Sequence, residues 1–440
     1  MSHIVHIGVG NFHRAHQADY IAKANGWTMS AVVMSNAGLL QHMQRYDYRY
    51  LLGIWGNDGL DCRLIDAYQK LYLAGRDEAE IIEDLASEAT KIVTLTITEK
   101  GYFLNKSQDG LSLVSAPVSH DLQFDHPQTA IGMMAKALHL RAMTHQEPVS
   151  LLSCDNLVQN GQKLQMVLRQ FMHHKYPACL PWFDLHVACP NAMVDRITPK
   201  PDKQAMTDIC AKAGLDDFPV VVTEAFSEWV IEDKFANDRP ELERYGVEFT
   251  PDVSAFEDRK LRMLNAAHSY LAYAGLLSGY QFIHEAMADR RLNSLVSRLW
   301  EEAVPTLKQE AARSSDRYAA ALRARFAVSA MRHQCAQIAI DGSLKMTQRL
   351  VPIITNRHYS ALSSLACYEA VAAWLAYVYY VLSSGDHLDD GHADDITAMF
   401  DASDSKAHFW SALLSYIQLD SAHHAPIIQN AATLYAQKQI

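Results

Sequence analysis

The sequence predicts an α/β domain built on a parallel sheet, followed by a mostly α-helical domain. Three observations carry this. Short β-prone runs alternate with helical periodicity through the first half, a glycine pair closes the first strand, and strand signals fade past about Thr250. The chain has 440 residues, 49% hydrophobic and 20% charged, which excludes collagen-like, low-complexity and largely disordered classes. At roughly 100–200 residues per domain, two or three domains are expected. The charged loop 233–253, with Pro240 and Pro251, places the boundary, giving domains 1–250 and 251–440.

Taken in order, residues 4–7 form a strand that ends at Gly8-Val9-Gly10, and a helix follows over about 12–25. Strands are expected at 29–34, 92–98 and 149–154, with helices at 78–88 and 130–141 between them. Alternation of this kind implies a parallel sheet covered on both faces. The glycine pair lies where a pyrophosphate would meet a helix N-terminus, so a Rossmann-like dinucleotide-binding domain is expected. The full G-x-G-x-x-G spacing is not met, because His13 holds the third position. No acid ends the second strand either; it runs into Met34-Ser35-Asn36, where Asn36 could bond a ribose and nothing would repel a 2′-phosphate. NAD and NADP both remain open. In the second half, helices are expected at 260–277, 292–302, 316–326, 364–383 and 427–438.

A formal net charge of -11 makes nucleic acid and anionic membrane surfaces poor partners. Seven scattered cysteines without a C-x-x-C pair suit a reducing compartment. The N-terminus lacks signal-peptide character, and the apolar run 370–382 falls short of the ~20 residues that span a bilayer. A cytoplasmic protein is expected, monomeric or a small homo-oligomer. No metal is expected, since H-E-x-x-H and clustered Cys/His spacings are missing from the sequence. Tyr102 and Lys106 have Y-x-x-x-K spacing but sit in a segment that reads as loop, so a shared helix face is not expected.

Chemistry gathers in a few polar clusters. On a helix, Glu257, Lys260, Asn265 and His268 fall within an arc of roughly 140°. A desolvated lysine can serve as general base, and an asparagine amide can donate to a developing alkoxide. The bland alternative is a solvated charged face with a core-satisfied histidine. Asn156, in Ser153-Cys154-Asp155-Asn156, is a second amide at the carboxyl end of a strand, unless Asp155 or Asn156 merely caps the next helix. Asp195 lies in a polar island bounded by Pro190 and Pro199, where a surface Asp195–Arg196 pair would be the ordinary reading. Asp341-Gly342-Ser343-Leu344-Lys345 could bring a basic group to a ligand, or be a helix-linking turn with an exposed lysine.

Together these pieces resemble one family, the polyol-specific long-chain dehydrogenases, which includes mannitol 2-dehydrogenase, D-arabinitol dehydrogenase and the fructuronate and tagaturonate reductases. The matching stretches are 8–17, 94–102, 153–156, 190–199, 229–233, 260–269, 325–326 and 341–345, so the resemblance spans essentially the whole chain. It implies a zinc-independent NAD(P) oxidoreductase, with NAD slightly preferred. It implies Lys260 as general base, Asn156 and Asn265 as amides on the reacting oxygen, and His268 as a ligand of a substrate hydroxyl. Glu257 and Asp195 would be carboxylates near the lysine and Lys345 a substrate-binding lysine, while Gly8, Gly10, Asn11, Phe12, Asn36 and Thr98 would line the cofactor.

Two departures bear on the substrate. Gln337 stands eight residues before Lys345, where mannitol dehydrogenases resemble one another in having arginine. The stretches 332–339 and 348–350 resemble fructuronate reductases more closely, whereas Pro190-Asn191-Ala192-Met193 resembles the polyol enzymes. A uronate needs a cation for its carboxylate, which Lys345 or Arg349 could supply. The reading leans to D-mannonate/D-fructuronate, ahead of mannitol/fructose or D-arabinitol. A non-catalytic dinucleotide- or sugar-binding sensor is the alternative from another class, allowed by the incomplete glycine fingerprint.

Overall fold

The computed structural model describes residues 1–56, 58–105 and 107–438. Two compact units divide the chain, Met1–Ser254 and Ala255–Ile440.

The first unit is organised by a six-stranded, wholly parallel sheet. Numbering only its strands, these are β1 (Ser2–Ile7), β2 (Trp27–Val33), β3 (Lys70–Leu73), β4 (Thr90–Leu95), β5 (Val149–Ser153) and β6 (Val187–Ala188). Their spatial order is β3-β2-β1-β4-β5-β6, the doubly wound order in which strand succession reverses between β1 and β4. Val5, Ile7, Val93, Leu95, Val149 and Leu151 are buried from β1, β4 and β5, as a sheet covered on both faces requires.

Two further three-stranded sheets accompany it; their strands, like the edge strands β3 and β6, are not among those that the sequence pattern predicts. Strands Tyr50–Gly56 and Gly59–Ile65 form an antiparallel hairpin, with Val220–Glu224 parallel to the first. Strand Glu228–Glu232 joins Ala192–Asp195 and Glu248–Thr250, the last inside the supposed boundary loop.

The expected first helix is broken. It runs as Asn11–Ala15 and Gln17–Ile21, because His16 leaves helical geometry at φ -122, ψ -86. The third fingerprint glycine normally lets helix and strand pack closely. Here the flat His13 ring stacks on His6 of β1 instead, with centroids 3.3 Å apart and planes within 10°. The fourth strand also stops earlier than predicted, at Leu95, because Thr98 adopts φ 63.

Among the described residues of the second unit the regular elements are helices, joined by irregular segments and one isolated bridge between Phe282 and Gln334. Leu365–Ser383 is a 19-residue helix, long and apolar enough by composition to cross a membrane. It packs against Ala266–Leu277 and His424–Lys438 and buries Ala370 to Ala376. The predicted helix over 260–277 begins differently: Lys260–Asn265 is a π-helical segment, and only Ala266–Leu277 is α-helical.

Candidate active site

At the reversal point of the sheet, Gly8 and Gly10 have different jobs. Gly8 has φ 105, and a Cβ there would overlap the carbonyl oxygen of Thr96. Its N–H donates to Val32 O at 3.0 Å, and its own carbonyl accepts from Thr96 Oγ1 at 2.7 Å. His6 bonds Thr94 Oγ1 at 2.8 Å and Thr96 Oγ1 at 3.0 Å, with burial holding its imidazole down to about 3. Gly10, by contrast, would have no atom within 4 Å of an added Cβ, and it is itself the N-cap of the helix Asn11–Ala15, with no side chain to cover the helix N–H groups. Open space and unclaimed N–H groups at this position are what a pyrophosphate needs, so the residues fit a dinucleotide.

The other predicted cofactor residues surround this turn. Asn11 Oδ1 accepts from the buried Arg14 at 2.8 Å, and Arg14 Nε reaches back to Gly10 O at 3.3 Å. Phe12 stacks on His16 at 5.1 Å. Asn36 is exposed past the end of β2, where its Oδ1 caps a helix by accepting from Leu39 N–H at 3.0 Å.

Near the ends of β4 and β5 several expectations need correction. Neither Asp155 nor Asn156 caps the following helix; Gln159 holds that position. Asn156 lies exposed beyond β5, while Asp155 is buried and accepts from the Ile97 and Thr98 N–H groups at 3.1 and 2.8 Å. Asn160 fixes this loop, donating to Asp155 O and Ala192 O and accepting from Ala192 N at 2.9 Å. Tyr102 is buried at the end of a short helical turn, Glu99–Tyr102; Lys106 lies outside the described residues. Asp195 ends the buried strand Ala192–Asp195, and Arg196 pairs with Asp19 at 3.2 Å, so the surface-pair reading fails.

In the second unit, the polar arc is no solvated face. Glu257 is 8% exposed, Asn265 8% and His268 9%. The π-helical segment matters to their alignment. In an α-helix residues five apart stand about 140° apart, whereas i→i+5 bonding returns them to neighbouring positions one turn on. Lys260 and Asn265 are five apart. The segment's Met263 carbonyl accepts from Trp300 Nε1 at 2.9 Å, which steadies it from outside.

His268 is not a satisfied core histidine. Its Nε2 is buried without a hydrogen-bond partner, and its ring meets His333 edge-on at 4.7 Å and Phe326 at 5.3 Å. Burial first, then coupling to the His333 imidazole and the positive fields of Arg349, Arg325 and Lys345, drive its pKa well below the usual value, so it is neutral. Arg349 donates to Asn265 O at 3.2 Å and Ser269 Oγ at 2.8 Å, with its pKa lowered by burial to about 10.

Lys345 is not a free lysine on a turn. Its Nζ donates to Ile338 O at 2.9 Å and to Ile340 O. Its helix is anchored by Ser343, whose N and Oγ bond Asp390 at 2.9 and 2.7 Å. Among the described residues no group of three or more His, Cys, Asp or Glu is placed to hold a metal.

Two family models cover this chain, the mannitol dehydrogenase Rossmann domain over residues 2–244 and the mannitol dehydrogenase C-terminal domain over 252–437. The chain belongs to the mannitol dehydrogenase family. It is an oxidoreductase of that family, and the sensor alternative falls away. An uncharacterized oxidoreductase YeiQ of Escherichia coli (strain K12) is 34% identical over 98% of this chain and 91% of its own length. The D-mannonate oxidoreductase of the same organism is 32% identical over 88% of this chain and 82% of its own. The Pseudomonas fluorescens mannitol 2-dehydrogenase, solved as a ternary complex with NAD and D-mannitol, superposes with TM-score 0.83. It is 31% identical, covering 100% of this chain and 92% of that one.

Sequence reasoning gives Arg14 no role and Asp155 only a possible helix cap, although both lie inside the family's matching stretches. Both are charged residues that the fold buries, and a buried charge without a ligand is a signal only the structure gives.

Proposed function

We propose that this enzyme interconverts a secondary alcohol of an aldonate or sugar alcohol with the corresponding keto-uronate or ketose, the best reading being D-mannonate/D-fructuronate. The observation that carries the proposal is the run Lys260, Asn265 and His268, on one π-to-α stretch whose two neutral members are buried and whose histidine keeps an unpartnered Nε2. Buried polar atoms are paired in folded proteins with few exceptions, so an unpaired one at this place points to a substrate hydroxyl.

A nicotinamide dinucleotide, NAD slightly ahead of NADP, would supply the hydride acceptor. Gly8, Gly10, Asn11, Phe12, Asn36 and Thr98 are assigned to hold it. Lys260 takes the hydroxyl proton as general base, and Asn156 and Asn265 donate their amides to the developing alkoxide. His268 binds a neighbouring hydroxyl. Glu257 and Asp195 orient the lysine or pass its proton on. Reduction runs the same path backwards, with Lys260 giving the proton.

The uronate preference has support in the charge around His268, where Arg325, Lys345 and Arg349 bring positive potential to one place. A substrate carboxylate suits that field better than a neutral polyol does. Mannitol/fructose and D-arabinitol remain the second reading, favoured by Pro190-Asn191-Ala192-Met193. No metal is assigned a role, so activity should survive EDTA. Seven free cysteines fit a cytoplasmic enzyme, here taken as a monomer or small homo-oligomer.

The test is a panel of mannitol, arabinitol, sorbitol, fructose, mannonate, fructuronate and tagaturonate, each with NAD(H) and NADP(H), followed at 340 nm. Selective reduction of fructuronate is the expected result. Selective mannitol oxidation would overturn the uronate reading and leave the reaction class intact.

A further inference from the structure

One buried carboxylate is left unused by the roles above. Asp155 is 7% exposed, two residues past β5. Its Oδ1 accepts from Thr98 N–H at 2.8 Å; its Oδ2 accepts from Ile97 N–H at 3.1 Å and from Tyr102 OH at 2.7 Å. Tyr102 OH is also 2.5 Å from Ser153 Oγ. Thr98 sits at φ 63, ψ 164, a conformation that a β-branched residue adopts only when its surroundings impose it. Two adjacent N–H groups held by one carboxylate are that imposition.

This turn reaches the glycine turn on its other side. Thr96 Oγ1 donates to Gly8 O, and the Thr96 carbonyl occupies the space a Gly8 side chain would need. In the other direction the chain runs from Asp155 directly into Asn156, on a loop locked by Asn160.

We propose that Asp155, as a carboxylate, is a positioning residue that sets the 96–98 turn against the Gly8 turn and fixes the loop carrying Asn156. One buried charge thereby places both the cofactor turn and the proposed catalytic amide. The inference rests on the roles proposed above for Asn156 and the glycine turn.

The groups facing Asp155 are Ser153 and Cys154 from its own segment, and Ile97, Thr98, Glu99 and Tyr102 from the turn after β4. Burial raises its carboxyl to about 6, against the lowering bonds from Tyr102, Ile97 and Thr98, with Glu99 adding to the rise. Below that pH the acid gains an O–H, which cannot accept from an N–H, and the grip on the turn loosens.

The experiment compares wild type, Asp155→Asn and Tyr102→Phe as full-length enzyme. It measures NADH and NADPH affinity by fluorescence titration, and kcat/KM against pH for reduction of the substrate the panel selects. In that direction Lys260 must be protonated, and the share of the acid limb that belongs to Asp155 is read as the difference between wild type and the two variants. Asp155→Asn turns an amide N–H toward a backbone N–H. It should weaken cofactor binding about 10–100-fold and flatten the acid limb. Tyr102→Phe removes a bond that favours the carboxylate, so the acid limb should move to higher pH in an enzyme that still folds by circular dichroism. Wild-type affinity with an unchanged acid limb in Asp155→Asn would overturn the proposal, as would an unshifted limb in Tyr102→Phe. A wild type that binds neither dinucleotide would overturn the proposed function itself, a separate and visible failure.

Discussion

Asp155 in the first unit and His268 in the second are both buried polar groups beside a proposed catalytic amide, and they are built in opposite ways. Asp155 spends its oxygens on three protein donors, while His268 keeps a buried nitrogen with no partner. The contrast separates two kinds of buried polarity. A fully bonded group rigidifies its surroundings, whereas an unbonded one costs stability until a ligand arrives.

The glycine turn gives the sharpest way to break that distinction. Gly8→Ala meets both the Thr96 carbonyl and a positive φ, so it should cost about 3–5 kcal/mol of stability, read as a shift in the urea midpoint. Gly10→Ala has open space around its Cβ and should unfold like wild type, losing only cofactor affinity. Equal destabilisation by both would mean that this turn is structural throughout.

His268→Leu should separate function from stability. Removing the hydroxyl ligand should lower kcat/KM about 10–100-fold, while the melting temperature holds or rises because a buried unsatisfied nitrogen is replaced by a methyl group that packs on Phe326. A fall in melting temperature with unchanged kcat/KM would make His268 an ordinary core residue.

The smallest effect is on pH-dependent stability. Buried His6, His13 and His268 all have lowered pKa values, so below about 6.5 the unfolded chain takes up protons that the folded chain refuses. Stability is therefore lost as pH falls, and His6, held to about 3 by burial, accounts for about 2 kcal/mol at a pH near 5. Asp155 acts in reverse, since its folded carboxyl takes a proton at about 6 before the unfolded one does, returning some stability on acidification. Urea titrations at neutral pH and near pH ~5 measure the sum; a midpoint that does not move would contradict the buried neutral histidines.

Strand alternation and the glycine pair are enough to read four of the six parallel strands, because these bury both faces and announce themselves as apolar runs, whereas the short edge strands Lys70–Leu73 and Val187–Ala188 are too brief to do so. The antiparallel pair Tyr50–Gly56 and Gly59–Ile65 escapes such a reading, since its second strand is largely exposed and carries little apolar pattern. Lys260, Asn265 and His268 are legible as a spacing, but the π-helical bonding that aligns Lys260 with Asn265 leaves no periodic trace in six residues. In the sequence His13 looks like a defect in the fingerprint. Its ring stacked on His6 shows a different way to join helix and strand, which no glycine rule anticipates.

The central claim is that Lys260 moves the proton in a dinucleotide-dependent oxidoreductase. Lys260→Ala, assayed on the panel's best substrate with NADH affinity measured in parallel, tests it most directly. The expected result is a loss of about 10²–10⁴-fold in kcat with cofactor affinity unchanged; a variant that turns over like wild type would contradict it.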